Sequence, residues 1–142
     1  MTNIFIILAG GVNKRLNSKI PKPYIKIHDK QLIQYSIEAA RKVNSIKKIV
    51  IVHNKKHSDF IKNKIFNKCV KVVGGKTRAE STYNALKKIR NYKCNNILIH
   101  DAARANVSNK LIETVIKALK KNNNAIPALK INDSIKKKIK EK

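Results

Sequence analysis

Short apolar runs rich in β-branched residues alternate along this chain with stretches whose apolar residues recur at helical spacing. The runs predict buried strands, and the periodic stretches predict helices that connect them. This alternation predicts an α/β fold with a mostly parallel, doubly wound sheet that carries helices on both faces. The predicted strands are residues 3–10, 24–27, 47–54, 69–75, 96–101 and 125–131, and the predicted helices are residues 31–43, 58–68, 78–91 and 108–121.

The apolar spacing also predicts which side of each helix faces the sheet. Ser58 and Ser108 stand at the start of two predicted helices, where a serine side chain can cap the first turn. The inward-facing residues are expected to be Leu32, Tyr35, Ile37, Ala40 and Val43, then Ala79, Thr82, Leu86 and Ile89, and finally Ile112, Val115, Ile116 and Leu119.

The chain has 142 residues, which is the length of a single domain spanning residues 1–142. Its 33 basic and 8 acidic residues give a net charge of +25, which suits nucleic acids, anionic membranes or phosphorylated ligands. The lysines are scattered rather than clustered on one face, and Lys, Asn and Ile share A/T-rich codons, so compositional bias is favoured over a nucleic-acid interface.

The cysteines and the first apolar run indicate the cellular compartment of the protein. Cys69 and Cys94 lack metal-binding spacing and are expected to be reduced thiols, as in a cytoplasmic protein. The first apolar run is too short to span a bilayer and lacks the flanks of a signal peptide, so no membrane partner is expected.

Three polar segments follow the predicted strands: AGGVNKR at residues 9–15, GGKTRAES at 74–81 and HDAAR at 100–104. The carboxyl ends of parallel strands meet at one edge of a sheet, and ligands of doubly wound folds bind there. We therefore expect the segments to converge on one site.

The first segment has the residues of a phosphate-binding loop. Gly10 and Gly11 let the backbone approach an anion closely, although a glycine pair is also common in turns that bind nothing. Arg15 can bridge two phosphate oxygens, and Lys22 adds a positive charge from a segment stiffened by Pro21 and Pro23. The pattern lacks the sequence of a P-loop, so it predicts a differently built triphosphate site.

Asp101 ends a predicted strand opposite this loop and is the candidate Mg²⁺ ligand. Mg²⁺ is commonly held by one or two carboxylates together with substrate phosphates. A helix cap or a salt bridge to Arg104 is the alternative interpretation. His100 is expected to pack beside Asp101 and orient it, whereas His28, His53 and His57 are interpreted as surface or strand-end residues.

Arginine, lysine and aspartate without a histidine–acid pair suit nucleotidyl transfer to a phosphate, whose oxygen is already anionic at pH 7. The stretches LAGGVNKRLNSKIPKPY, VVGGKTRAESTYNAL, ILIHDAARANVS and IPALKINDSIK resemble, in that order, the 2-C-methyl-D-erythritol 4-phosphate cytidylyltransferases of the non-mevalonate isoprenoid pathway. They also resemble the related polyol-phosphate cytidylyltransferases.

The resemblance implies a Rossmann-like nucleotidyltransferase fold, CTP and a phosphorylated polyol as substrates, Mg²⁺ as cofactor, release of pyrophosphate, and a cytoplasmic homodimer. It implies catalytic roles for Arg15 and Lys22, a substrate-side position for Asp133 and Ser134, and structural roles near the site for His100 and Arg104. The implied nucleotide-binding residues are Ala9, Gly10, Gly11, Gly75, Arg78, Ser81, Asp101 and Ala102, with Asp101 also the metal ligand.

The chain departs from the family pattern at several positions, including Asn13 for a loop glycine and Pro23 for a glutamine. Family members continue well beyond the matched region, so we expect a domain truncated at its C-terminus that lacks the dimer arm and acceptor-binding segments. Ribitol-phosphate or other sugar-phosphate nucleotidyl transfer, and a basic nucleic-acid-binding module, are the alternative functions.

Overall fold

A computed structural model of the protein describes residues 1–11, 18 and 20–130. Within these ranges it contains β1 (Asn3–Ala9), β2 (Lys26–Ile27), β3 (Lys30–Gln31), α1 (Leu32–Arg41), β4 (Ile46–His53), β5 (Val70–Val73), α2 (Arg78–Ile89), β6 (Asn96–Asp101) and α3 (Asn109–Ala118). Three short 3-10 segments complete the set, at Lys22–Tyr24, Lys55–Ile61 and Lys64–Phe66.

Four strands form a parallel sheet in the order β5-β4-β1-β6. The chain moves outward from β1 to β4 and β5, then returns to the other side of β1 with β6, so the strand order reverses at β1. The carboxyl ends are level, because Leu8 lies beside Asp101, Ala9 beside His53, and His53 beside Val73. This alignment brings the loops after all four strands to one edge of the sheet.

The sheet has a core on each face. Ile4 and Ile6 of β1 pack with Val50 and Val52 of β4 against α2. The alternate residues of β1, Phe5 and Ile7, belong to a larger cluster that includes α1 and α3. Alternate side chains of β1 therefore pack into different cores on the two faces of the sheet. The predicted doubly wound α/β fold is confirmed.

The predicted helix at residues 58–68 is wrong, and so is its Ser58 cap. Two 3-10 segments occupy this region, the first capped by Asn54, whose side chain accepts a hydrogen bond from Lys56 N at 2.9 Å. Asn63 adopts an extended conformation with φ −62° and ψ 153°, which interrupts helical hydrogen bonding.

The predicted strand at residues 125–131 is also not formed over its described part, 125–130. Ile126 and Leu129 are 88% and 94% exposed. A strand needs a neighbour to take up its backbone hydrogen bonds, and within the described residues this segment pairs with none.

The inward face of α2 differs from the prediction made from apolar spacing. The structure buries Ser81, Ala85 and Ile89, whereas Ala79 and Leu86 are exposed. The predicted cap at Ser108 is confirmed, since its hydroxyl accepts a hydrogen bond from Leu111 N at 3.1 Å. None of the helices in the described part of the chain has the length and apolar character that crossing a membrane requires.

We predict that Ile89→Ala lowers the free energy of unfolding by about 2–5 kcal/mol, because it leaves a cavity in the core beneath α2. Ile89 is 3% exposed, whereas Leu86 on the same helix is 37% exposed and provides the matched control. Leu86→Ala should cost less than about 1 kcal/mol. Urea unfolding measures both, and equal losses would contradict the observed helix orientation.

Candidate nucleotide-binding site

A cavity of about 410 Å³ lies at the carboxyl edge of the sheet, and we call it the polar cavity because most of its lining residues are polar or glycine. Each of the four parallel strands contributes to it, either from its last residues or from the loop that follows. The lining residues are Leu8, Gly10, Gly11, Asn54, Gly75, Lys76, Thr77, Arg78, Ser81 and Asp101. The described parts of the three segments predicted to converge therefore do converge, at the switch in strand order, whereas residues 12–15 of the first segment lie outside the described residues.

The glycines after β1 are not explained by packing. A Cβ added at Gly10 would come no closer than 3.8 Å to another atom, and one at Gly11 would meet nothing within 4 Å. Neither glycine has a positive φ. Among the described residues, nothing requires glycine at these two positions, and the absence of side chains leaves the backbone accessible to a ligand.

The glycines after β5 have a different role. A Cβ at Gly74 would lie 2.9 Å from Ser81 Oγ, and one at Gly75 would overlap the side chain of Glu80. The loop is folded tightly onto the start of α2, because Gly75 N donates to Ser81 Oγ at 3.1 Å and Lys76 N donates to Glu80 Oε2 at 2.8 Å. Glycine is therefore required at these positions by the protein's own packing.

The helix that follows this loop begins at the cavity wall. Thr77 caps α2, with its hydroxyl accepting from Glu80 N at 3.0 Å. The first residue of the helix, Arg78, lines the cavity. The N-terminus of α2 therefore adds its partial positive charge to that of the arginine at this wall of the cavity.

Asp101 accepts ion pairs from two arginines. Arg78 Nε lies 3.2 Å from Asp101 Oδ1, and Arg104 Nε lies 3.4 Å from Asp101 Oδ2. The carboxylate side chain is 38% exposed and the arginines more so, so each pair contributes little to stability. The alternative interpretation of Asp101, a salt bridge to Arg104, is thus observed, and Arg78 joins it.

His100 is held behind this carboxylate. Its ring stacks on Phe5 with centroids 5.6 Å apart, and its Nε2 lies 3.1 Å from both Arg104 O and Ser36 Oγ. A carbonyl can only accept, so Nε2 carries the proton in this arrangement. Burial lowers the pKa of His100, while the Arg104 carbonyl and Asp101 act in the opposite direction. His100 thus supports the turn that carries Asp101.

Comparison with known proteins places this architecture in a family. A family model described as IspD: 2-C-methyl-D-erythritol 4-phosphate cytidylyltransferase matches residues 3–141. The chain belongs to the IspD family.

Among curated IspD relatives, the chain is 49% identical over 139 residues to a protein of Pelagibacter ubique named "Bifunctional enzyme IspD/IspF". It is 40% identical over 138 residues to the 2-C-methyl-D-erythritol 4-phosphate cytidylyltransferase of Clostridium perfringens. These matches cover 98% and 94% of this chain but only 38% and 60% of the respective relatives. The chain thus spans between about two fifths and three fifths of their lengths.

Solved structures agree with the assignment. The bifunctional IspDF of Campylobacter jejuni superposes with a TM-score of 0.81 at 29% identity, covering 95% of this chain and 35% of that one. The 4-diphosphocytidyl-2C-methyl-D-erythritol synthase of Anaerococcus prevotii gives a TM-score of 0.69 at 27% identity, covering 85% and 52%. The predicted Rossmann-like nucleotidyltransferase fold is confirmed.

Most of the residues implied by the IspD resemblance are close together. Gly10, Gly11, Gly75, Arg78, Ser81 and Asp101 line the cavity, and Ala9 and Ala102 are buried beside it at the ends of β1 and β6. Lys22 is exposed on a turn whose other residues are buried, and it does not line the cavity. Arg15, Asp133 and Ser134 lie outside the described residues. Individual roles stay predictions.

Four residues that line the cavity were not among the candidate site residues: Leu8, Asn54, Lys76 and Thr77. Asn54 directly follows β4, and the rule that ligands bind beyond the carboxyl ends of strands could have identified it. Thr77 falls inside the recognised GGKTRAES segment, where its position as the N-cap of α2 was the available signal.

We predict that His100 makes stability depend on pH. Its pKa is lowered in the folded protein, so the unfolded chain takes up the proton first as pH falls. Stability should therefore decrease from pH 7.5 to 5.5. His100→Gln keeps an amide donor but does not titrate, so urea unfolding should show a smaller decrease for this variant.

A residual decrease of the same sign is expected in the variant, because burial also lowers the pKa of His57. His57→Gln is the matched control for that contribution. Identical pH dependence in the wild type and in His100→Gln would show that His100 is not held neutral by its surroundings.

Proposed function

We propose that the chain provides the nucleotide-binding part of an enzyme that transfers a cytidylyl group from CTP to 2-C-methyl-D-erythritol 4-phosphate, in the non-mevalonate pathway of isoprenoid biosynthesis. The observation that carries the proposal is the convergence of four strand ends on one polar cavity in a chain of the IspD family. The glycines after β1 support it, since they leave backbone exposed without a packing reason.

The proposed reaction is balanced without a general base. An anionic oxygen of the acceptor phosphate attacks the α-phosphorus of CTP and forms a new P–O bond. The bond from that phosphorus to the oxygen bridging to the β-phosphate breaks, and pyrophosphate leaves with the electron pair. The protein must therefore align the two phosphates and offset their negative charge.

We assign the neutralisation of the phosphate charge to Arg15 and Lys22. Both follow β1 in sequence, and Lys22 is exposed on a turn whose neighbours Pro21 and Pro23 are buried. A guanidinium can hold two phosphate oxygens at once, and an ammonium group adds a localised charge. Their role is to stabilise the extra negative charge on the phosphates as the transferred group moves.

The cytidine side is assigned to the loop after β5. Gly75, Arg78 and Ser81 would surround the base, and Asp101 and Ala102 would border the ribose. The packing of Gly75 against Ser81 and Glu80 supports this assignment, because a preformed loop loses less entropy when it binds.

The cavity fits Mg²⁺ that arrives with the nucleotide. Among the described residues, no group of three or more His, Cys, Asp or Glu side chains could hold a metal by itself. Asp101 offers one partly exposed carboxylate, which matches the way Mg²⁺ binds through few carboxylates and substrate phosphates. When bound, the ion would neutralise phosphate charge; Arg78 and Arg104 hold Asp101 in place for it.

Further proposals concern the acceptor and the assembly. Asp133 and Ser134 would border the acceptor phosphate, and the complete enzyme would act as a cytoplasmic homodimer. Reduced Cys69 and Cys94 are compatible with that compartment. The acceptor specificity is proposed from the family; ribitol phosphate is the alternative substrate to be tested against it.

We predict that CTP with Mg²⁺ raises the melting temperature of this chain, whereas UTP, ATP and GTP at the same concentration raise it much less. At about one hundred times the dissociation constant, a ligand adds roughly 2.7 kcal/mol of stability, which thermal unfolding detects readily. Arg15→Ala should remove most of the shift, because it removes a phosphate-binding group. Asp101→Asn should remove its dependence on Mg²⁺.

Because the chain carries a net charge of +25, the experiment needs a control for nonspecific binding of anions. A polycation binding anions without specificity would shift equally with all four nucleotides, and its shifts would fade as salt rises. Lys88→Ala removes a charge remote from the cavity, and it should leave the CTP shift unchanged. Equal shifts with the four nucleotides would contradict the proposed function.

A further inference from the structure

In the turn that carries Lys22, the lysine is exposed and the other residues are buried. Pro21, Pro23 and Tyr24 are buried, while Lys22 between them is exposed. Tyr24 is 2% exposed, and it belongs to the large core cluster shared with α1. The packing of these neighbours therefore fixes the backbone position of Lys22.

Tyr24 is held by an aromatic contact with a separate part of the chain. Its ring stacks face to face on Phe60, with centroids 4.9 Å apart and planes inclined by 8°. The ring of His57 packs edge-on against both, at 6.0 Å from Tyr24 and 6.2 Å from Phe60. We call Tyr24, His57 and Phe60 the aromatic anchor.

Backbone hydrogen bonds limit how the turn can move on this anchor. Tyr24 N donates to Pro21 O at 2.8 Å, and Ile25 N donates to Lys22 O at 3.3 Å. Gln31, the N-cap of α1, donates from its side chain to Phe60 O at 3.2 Å. The turn, the start of α1 and the anchor are thereby joined into one unit.

The same unit is connected to the polar cavity. The 3-10 segment that supplies His57 and Phe60 begins after Asn54, which lines the cavity. Asn54 O accepts from His57 N, and Asn54 Oδ1 accepts from Lys56 N, both at 2.9 Å. A continuous set of contacts thus runs from the cavity wall through the aromatic anchor to the turn of Lys22.

The ring of Tyr24, rather than its hydroxyl, makes these contacts. The buried hydroxyl has no hydrogen-bond partner among the described residues, and burial raises the pKa of Tyr24 to about 12. The phenol is therefore neutral at pH 7. A buried hydroxyl without a partner is unfavourable, so phenylalanine should replace tyrosine here without loss.

We propose that the aromatic anchor is a positioning set that fixes the Lys22 cation relative to the β- and γ-phosphates of the bound nucleotide. The inference rests on the proposed function, because it takes Lys22 to contact the triphosphate. The anchor residues themselves do not touch the nucleotide. Their contribution is to preorganise the turn, so that the flexible lysine side chain starts from a fixed backbone position.

A merely structural role for Tyr24 makes a different prediction. If the ring only stabilised the core, its loss would weaken binding of every ligand of the site to a similar extent. If it positions Lys22, its loss should weaken binding of CTP, which has β- and γ-phosphates, more than binding of CMP, which lacks them. The ratio of the two affinities separates the roles.

The experiment measures the affinities of CTP and CMP by calorimetry, with Mg²⁺, at a temperature where each variant is folded by circular dichroism. Lys22→Met should reduce the CTP-to-CMP affinity ratio about tenfold, the effect of losing one charge-assisted hydrogen bond. Tyr24→Leu should reduce the ratio about three- to tenfold, and Tyr24→Phe should leave it unchanged.

The double variant Lys22→Met with Tyr24→Leu is decisive. Because the anchor acts through Lys22, Tyr24→Leu should have no further effect on the ratio once the cation is gone. Phe60→Leu should behave like Tyr24→Leu, and it provides the answer if the latter does not fold. Phe66→Leu is the matched control, since Phe66 is 0% exposed but is not part of the aromatic anchor; it should lower stability without changing the ratio.

The outcomes distinguish this inference from the proposed function. If Lys22→Met reduces the CTP-to-CMP affinity ratio but Tyr24→Leu or Phe60→Leu leaves it unchanged, the proposed role of the aromatic anchor is wrong. The proposed function is not affected by that result. An unchanged ratio in Lys22→Met overturns the contact of Lys22 with the β- and γ-phosphates, and the proposed role of the anchor with it. Additive losses in the double variant would also overturn the anchor, because they would place its effect outside Lys22.

Discussion

Strand β1 is paired on both edges and buried on both faces, and the rest of the protein is arranged around this constraint. Its parallel pairing with β4 and β6 forces the connections to cross over as helices or long segments. Its alternating side chains divide the helices between two cores. The register also makes the strand ends level, so every polar loop that follows a strand opens at the same edge.

This edge combines features that the packing of the described residues does not require. The glycines after β1 have room for side chains, and the carboxylate of Asp101 sits between two exposed arginines whose pairing contributes little to folding. By contrast, the glycines after β5 are needed to fit the loop against α2. The described part of the cavity is thus preformed on the side of β5 and α2, where the loop packs tightly against the helix.

Much of this organisation could be predicted from the sequence, because the central strands are long apolar runs and the loops after them carry glycine, arginine and aspartate. The predicted strand at residues 96–101 matches β6 in full. Helix faces were harder to predict. The structure buries Ser81 in α2 and Ser36 in α1, where their hydroxyls contact Gly75 N and His100 Nε2. Apolar spacing does not detect serines that face the core. The prediction from this spacing therefore assigned the wrong face of α2 to the core and expected Leu86 to be buried.

Two other errors, one with a local cause and one with a tertiary cause, concern the segment after β4. The segment at residues 58–68 has apolar residues at helical spacing, but Asn54 starts a 3-10 turn early and Asn63 interrupts it. His57, interpreted as a surface or strand-end residue, instead packs against Tyr24 and Phe60. The packing of His57 depends on contact between the Lys22 turn and a segment some thirty residues later, which no local pattern contains.

The central claim is that the loops after β1, β5 and β6 form one site for a pyrimidine nucleotide with Mg²⁺. At 16.1 kDa the chain is small enough for backbone amide assignment, so NMR mapping tests this claim residue by residue. Titration with CTP and Mg²⁺ should shift the amides of Gly10, Gly11, Gly75 and Ala102 together, with one shared affinity. Shifts spread over the lysine-rich surface, or confined to the larger apolar groove lined by Ile97 and Ile99 of β6, would contradict it.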